Sequence, residues 1–179
     1  TCESTEEVQI YKPIYVAKNK PDGSASSDQT GDGTFANPFL TIQKGIDVAS
    51  EGQKIYVLPG TYKEGELNFE VTSNSGTYKS VYIASDVVRL GNYAAVTSTK
   101  IDADGEDKIF NIEGSNTSIV EGFTLTGMIT ANWESSVIYL RNGAAPTFKN
   151  LLINGNTVVN DAYGPIINIR SASPVFEDI

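Results

Sequence analysis

Three aspartates in a loop rich in glycine and serine are the first residues whose types suggest chemistry. Asp22, Asp28 and Asp32 lie in a stretch with no hydrophobic period. Calcium takes about six to eight oxygen ligands, and carboxylates with loop carbonyls supply such oxygens, although this spacing matches no EF-hand. The loop is therefore a candidate calcium site, and the alternative is a solvated turn held by local hydrogen bonds.

Two pairs of side chains recur along the chain and could contact a polysaccharide. Trp133 and Tyr163 lie at nearly equivalent points of the two longest repeat insertions, where aromatic rings would stack on sugar rings. Arg141 and Arg170 are 29 residues apart, each directly after an apolar residue, and a guanidinium fork fits the carboxylate of a uronic acid. The alternatives are that the aromatics cover the edge of the core and that the arginines form a surface ladder with the acidic residues 177 and 178.

Two residue counts exclude whole classes of chemistry. The chain has no histidine, so a Ser-His-Asp or Cys-His apparatus cannot be built within it. Its one cysteine, Cys2, allows neither an intrachain disulfide nor a thiolate metal cage. Catalysis would need carboxylates, Lys, Arg or Tyr, and no arrangement of them stands out. We therefore predict no catalytic residue, and whether the protein is an enzyme stays open.

Length and charge limit the class of protein and its partners. A chain of 179 residues is about one domain and can bury a core. Its net charge of −9 lacks the cationic footprint that grips phosphate backbones, so nucleic acid is not an expected partner. There is no apolar run of about 18 residues that would form a transmembrane helix. Residues 1–13 are polar and acidic, and we expect them to be flexible.

The first third of the chain predicts one helix between two strands. Residues 14–17 and 55–58 are short apolar runs typical of strands. Between them, Asn37 and Pro38 predict the start of a helix, and Gly52 predicts its stop. The apolar residues of this helix recur at spacings of three and four and form one stripe: Phe39, Ile42, Ile46 and Ala49.

An internal repeat dominates the rest of the chain, where short β-branched runs alternate with turn residues and no second helical pattern occurs. The segment around Val120 recurs around Phe148 and Phe176, 28 residues later each time. Such a period predicts a parallel β-solenoid, in which each strand pairs with its equivalent one coil later. Val120, Phe148 and Phe176 should then stack in the interior, and the apolar stripe of the helix should plug the first coil.

Several segments resemble the right-handed parallel β-helix superfamily of secreted and surface bacterial proteins, which includes pectate-lyase-like polysaccharide lyases. Its capping helix is similar to residues 33–47. Its later coils are similar to the segments 101–105, 121–127 and 145–150. Its characteristic first coil is similar to the sequence Lys54-Ile55-Tyr56-Val57-Leu58-Pro59-Gly60-Thr61-Tyr62-Lys63-Glu64.

This resemblance implies an all-β fold, a right-handed parallel β-helix with a short N-terminal capping helix and an uncapped C-terminal end. The cap would occupy about 14–58 and the coils about 59–179 of the helix domain 14–179. Members of the superfamily usually run longer and end in a second cap, so we expect this chain to be an N-terminal portion. The same coils serve lyases, adhesins and other proteins, so the resemblance fixes the fold better than the activity.

Three hypotheses about function follow. The leading one is a non-catalytic surface scaffold that binds a polysaccharide or a surface protein. The second is the N-terminal part of a polysaccharide lyase or glycoside hydrolase whose catalytic coils lie beyond residue 179. The third is a stalk or filament subunit with end-to-end contact at the C-terminal coil, because heterologous stacking gives open fibres.

The N-terminus bears on localisation. Cys2, followed by acidic residues, resembles the start of a bacterial lipoprotein, which carries its lipid on an N-terminal cysteine. This resemblance implies an extracellular or outer-surface location, with membrane contact only through a lipid on Cys2. The alternative is an incidental cysteine on a frayed terminus.

Overall fold

The computed structural model describes residues 11–71, 75–130, 135–159 and 165–179. All ladders between the strands of this part of the chain are parallel, as expected for a solenoid. The largest sheet, sheet 1, contains one strand from each successive coil. With strands numbered in chain order, its members are β1 (Ile14–Val16), β2 (Lys54–Val57), β5 (Tyr82–Ser85), β8 (Ile119–Glu121), β12 (Thr147–Lys149) and β16 (Val175–Glu177).

The remaining strands form three further sheets along the same coils. Sheet 2 contains β3 (Gly60–Lys63), β6 (Thr99–Asp102), β9 (Thr124–Thr126) and β13 (Leu152–Ile153). Sheet 3 contains β4 (Leu67–Asn68), β7 (Lys108–Glu113), β11 (Ser136–Arg141) and β15 (Ile167–Arg170). A two-stranded sheet pairs β10 (Ile129–Thr130) with β14 (Thr157–Val158). From β2 onward the chain thus visits sheets 1, 2 and 3 in that order on successive coils, which makes the fold an all-β parallel solenoid.

The predicted interior stack is confirmed. Val120 pairs with Phe148 and Phe148 with Phe176, in the register expected from the repeat. The Phe148 ring lies 5.4 Å from that of Phe176 and 5.8 Å from that of Phe110, measured between ring centroids. Both Val120 and Phe148 are fully buried. Identical apolar demands at each coil therefore produce the 28-residue period seen in the sequence.

The cap helix begins later than its sequence predicts. Helix α1 spans Ile42–Val48, and the Thr41 hydroxyl, rather than Asn37, caps it by accepting a hydrogen bond from the Lys44 amide. Phe39 is not helical, because its backbone bridges to Val16 and so extends sheet 1. The predicted stop was also wrong, because the helix ends before Ala49 and the turn at Gly52 comes afterwards.

The plug that this helix was expected to form is confirmed. All four stripe residues are buried in the core: Phe39, Ile42, Ile46 and Ala49. Gly45 faces the sheet, where a side chain would meet the methyl groups of Val16 at 3.0 Å and Ile55 at 3.2 Å. Its lack of a side chain lets the helix backbone approach the first coil closely.

The second coil holds an insertion that the sequence pattern did not indicate. Helix α2 (Asp86–Arg89) and a 3₁₀ helix (Tyr93–Ser98) lie between β5 and β6. A helix of four residues is too short to show an apolar period, which is why it was missed. The insertion makes the step from Ile83 to its partner Val120 37 residues long. In the described residues, no helix combines the length and apolar character needed to cross a bilayer.

Candidate functional site

The outer face of sheet 3 is the most polar surface that the coils build together. Alternation along β7 and β11 turns Phe110 and Ile138 inward, so the next residues point outward. Four side chains then form one row across the coils, in register from strand to strand: Asn68, Asn111, Tyr139 and Asn168. This row is the floor of the candidate site.

Two cavities lie over this floor and share Glu66 in their walls. We call the two together the sheet 3 groove. The cavity beside α1 has a volume of about 680 Å³, and its polar lining residues are Thr41, Gln43, Asp47, Glu64, Glu66, Asn68 and Glu70. The other cavity, of about 220 Å³, is lined by Glu66, Lys108, Asn111, Tyr139 and Arg141. The groove is therefore acidic at its α1 end and carries cations at its other end.

Side-chain hydrogen bonds close the acidic end against α1. The side-chain amide of Gln43 donates to the backbone carbonyl of Asn68 at 3.0 Å and accepts from the backbone N–H of Asn68 at 2.9 Å. This side chain therefore caps the edge of sheet 3 as a strand would. The Glu64 carboxylate accepts hydrogen bonds from the backbone N–H groups of Ile42 and Gln43 at 2.8 and 2.9 Å. Burial of Glu64 raises the pKa of its carboxyl group, against the opposing effect of these amides. This carboxylate therefore pairs with the first free backbone N–H groups of α1.

Three cations surround Tyr139 at the other end of the groove. The Arg141 and Arg170 guanidinium carbons each lie 5.6 Å from the ring centroid, and the Lys108 ammonium lies 5.9 Å from it. The tyrosine is only 4% exposed, so the cations cover its ring. Cation–π attraction holds long basic side chains in place at such distances. We call Lys108, Tyr139, Arg141 and Arg170 the basic cluster.

The structure brings together the two arginines that the repeat singled out, because Arg141 and Arg170 are register partners. The counter-charge of Arg141 is Glu113 at 2.5 Å, one coil earlier, and not the expected acidic residues near the C-terminus. This hydrogen bond raises the pKa of Arg141. Glu177 instead pairs with Lys149 at 2.9 Å. The role of the arginines in ligand binding stays a prediction.

Two buried polar atoms in the groove have no hydrogen-bond partner within the described residues. They are Oδ1 of Asn111 and Nε of Arg141. The Nδ2 atom of Asn111 donates to Glu66 at 3.0 Å, so only the acceptor end of this amide is left over. One acceptor and one cationic donor thus lie on the groove floor, and a ligand with hydroxyl and carboxylate groups could satisfy both.

Each aspartate of the proposed calcium loop accepts hydrogen bonds from a different part of the chain. Asp22 accepts from the Ser24 amide and hydroxyl at 2.9 and 2.7 Å, and Asp32 accepts from Thr34 in the same way. These hydrogen bonds lower the pKa values of both carboxyl groups.

The third aspartate of that loop is tied to the start of α1. Asp28 accepts from the Leu40 amide at 2.7 Å and from the Thr41 amide at 3.1 Å. In the described part of the chain, no group of three or more His, Cys, Asp or Glu residues could hold a metal ion. Calcium binding by this loop stays a prediction.

Three of the predicted site residues lie outside the described residues: Cys2, Trp133 and Tyr163. The strands beside the two aromatics are in register, since Thr130 pairs with Val158 and Ile138 with Ile167. Sequence reasoning missed Lys108, Asn111 and Tyr139. The strand alternation that places Tyr139 two residues before Arg141, on the same face, was the available signal for Tyr139.

The stacked parallel coils place the protein in the class of parallel β-solenoids, and its sheet 3 carries a polar groove on the outer face. A family model described as "Protein of unknown function (DUF1565)" matches residues 25–173. The chain therefore belongs to the DUF1565 family, whose members are parallel β-helix-like. Neither the curated proteins nor the solved structures include a significant match.

Proposed function

We propose that the protein is a non-catalytic scaffold, exported to the bacterial surface, that binds an acidic polysaccharide at the end of the sheet 3 groove that holds the basic cluster. The observation that carries the proposal is the basic cluster, in which three cations gather around Tyr139 in a chain of net charge −9. Arg141 and Lys108 also have acidic partners within the protein, Glu113 and Asp107, but the Arg141 side chain remains 42% exposed and accessible to an anionic sugar. Surface attachment through a lipid on Cys2 is part of the same proposal.

The chemistry of the groove favours a uronic acid over other anions. A guanidinium presents a planar fork that matches a carboxylate, and the Asn111 amide offers an acceptor suited to a sugar hydroxyl. Successive coils lie about 4.8 Å apart, so a row that spans several coils presents its groups at regular intervals to an extended chain. The rigidity of the stacked strands lowers the ordering cost of such binding.

Titration calorimetry with a hexamer of galacturonic acid tests the proposal. We expect Arg141→Gln and Arg170→Gln each to weaken binding about tenfold, because each removes a charge-assisted hydrogen bond. Lys63→Gln is the matched control, since it removes one positive charge from sheet 2, and it should change the affinity less than about twofold. Binding should also weaken as salt is raised.

Two results would overturn the proposal. One is an affinity that falls equally in all three variants, which would indicate only general charge attraction. The other is the accumulation of an unsaturated product that absorbs in the near ultraviolet, which would identify a lyase instead.

A further inference from the structure

A row of aromatic side chains lies on the outer face of sheet 1, away from the groove. Tyr15 and Tyr56 are register partners that alternate with buried neighbours, and their ring centroids are 5.7 Å apart. Phe35 extends the row from the entry loop, with its ring edge-on to Tyr15 at 5.4 Å. It is 47% exposed. Three rings from three separated segments therefore contact one another in succession, Phe35 at 79° to Tyr15 and Tyr15 at 32° to Tyr56.

Two more tyrosines continue this surface on the next coil. Tyr82 pairs with Lys54, whose ammonium lies 4.3 Å from the Tyr82 ring centroid and 5.6 Å from that of Tyr56. The Tyr82 hydroxyl donates to the Glu121 carboxylate. Tyr93 is 48% exposed and lies in the 3₁₀ helix, which contacts α2, and α2 in turn contacts β2. We call Tyr15, Phe35, Tyr56, Tyr82 and Tyr93 the aromatic row.

Polar groups alternate with the rings of this row. Lys54 lies between two rings, and the exposed Arg89 is carried by α2, which contacts β2. Arg89 is held by Asp86 at 2.5 Å. A pyranose has the complementary pattern, since its ring faces carry C–H groups and its rim carries hydroxyls. Aromatic faces surrounded by hydrogen-bonding groups suit such a ligand.

The dimensions of the row disfavour a protein partner. Only Phe35 and Tyr93 are close to half exposed, while the other three rings are partly covered. A stable protein interface needs about 800 Å² from each partner, which a strip one ring wide does not offer. An extended sugar chain needs only a narrow strip, such as the one formed by the contacting rings of Phe35, Tyr15 and Tyr56.

We propose that the aromatic row is a second glycan-binding surface, which stacks on the pyranose rings of an uncharged oligosaccharide. This inference does not rest on the sheet 3 groove, because the row lies on another sheet and uses ring contact in place of charge. If both surfaces bind, one rigid solenoid holds two sugar chains of different chemistry on two of its faces.

Two-dimensional NMR with the hexamer of β-1,4-linked glucose tests the row. We expect shifts at Tyr15 and Tyr56 whose midpoint concentration is insensitive to salt. Tyr56→Ala should weaken binding about tenfold, whereas Tyr56→Phe should change it less than about twofold because the ring remains. Arg141→Gln, in the groove, should leave this affinity unchanged and so separates the two surfaces.

Three results would overturn the inference. The first is no shift with this hexamer, with the hexamer of β-1,4-linked mannose or with that of β-1,4-linked xylose. The second is a folded Tyr56→Ala variant, judged by an unchanged amide spectrum elsewhere, that binds as the wild type does. The third is a concentration-dependent self-association that Tyr56→Ala abolishes, which would assign the row to a protein contact.

Discussion

Leu140 and Arg141 are consecutive residues of β11 that face opposite sides of sheet 3. Leu140 points into the core over Ile112 and is fully buried, whereas Arg141 points into the groove over Glu113. The inner positions repeat one kind of side chain from coil to coil, while the outer positions change from acid to base. This difference shows that the apolar core residues fix the register of the strands, whereas the outer positions can vary in charge and polarity without changing that register.

The largest effect should come from the interior stack. Phe148→Ala removes a ring packed between those of Phe110 and Phe176, and we expect a loss of about 3–5 kcal/mol in the free energy of unfolding. Phe35→Ala, on the outer face, is the matched control and should cost less than about 1 kcal/mol. Urea unfolding followed by circular dichroism measures both, and similar losses would contradict the division between faces.

The two neighbours on β11 sharpen the same comparison. Leu140→Ala should lower the free energy of unfolding by about 2–5 kcal/mol through the cavity that it leaves. Arg141→Gln loses an ion pair whose arginine is 42% exposed, and it should cost less than about 1 kcal/mol. Urea midpoints decide the matter, and a larger loss for Arg141→Gln than for Leu140→Ala would reverse the interpretation.

A cross-coil asparagine should show an intermediate effect. Asn156 accepts from the Met128 amide at 3.0 Å and donates to the Leu125 carbonyl at 3.1 Å, so it joins two coils. Asn156→Ala leaves both groups without this partner, and we expect a loss of about 1–3 kcal/mol in thermal or urea unfolding. Lys100→Ala, at an exposed position of β6, should stay within about 0.5 kcal/mol. An equally silent Asn156→Ala would show that these contacts are replaced by water.

The smallest effect is a pH dependence at the cap. Because burial raises the pKa of Glu64, the folded state binds its proton more tightly than the unfolded state does. The contribution of Glu64 to the free energy of unfolding therefore falls as pH rises from the unfolded value of 4.5 through the raised pKa. Each unit of elevation corresponds to about 1.4 kcal/mol.

The Glu64→Gln variant isolates this contribution. We expect the stability of the wild type relative to the variant to shrink as pH rises, in urea midpoints measured from pH 4 to pH 7. Glu66→Gln, two residues away in the groove wall, is the matched control. A wild-type advantage that grows with pH would show that the amides of Ile42 and Gln43 outweigh burial.

The interior was predictable because each coil needs an apolar side chain at the same inward-facing position. That position is occupied by Val120, Phe148 and Phe176, which are 28 residues apart, so the sequence repeat alone indicated their stacking. The start of α1 could not be read in this way. Asp28, twelve residues before Leu40, holds the chain in a non-helical conformation there, and such a contact leaves no periodic trace.

The candidate site was predictable only where it repeats. Arg141 and Arg170 share a position on successive coils, and the repeat therefore placed them side by side. Glu66 meets Asn111 from 45 residues away, and its coil contains no equivalent of either arginine. Single contacts of this kind depend on the coil lengths between them, which the insertion after β5 makes irregular.

That insertion also bears on how such a protein could be redesigned. The corner between β5 and β6 accommodates two short helices, and yet Ile101, which follows it, remains the register partner of Tyr62 on the preceding coil. The entropic cost of lengthening a surface loop grows only slowly with its length. The same corner should accordingly accept a grafted peptide epitope, displayed beside the aromatic row on a support that keeps its shape.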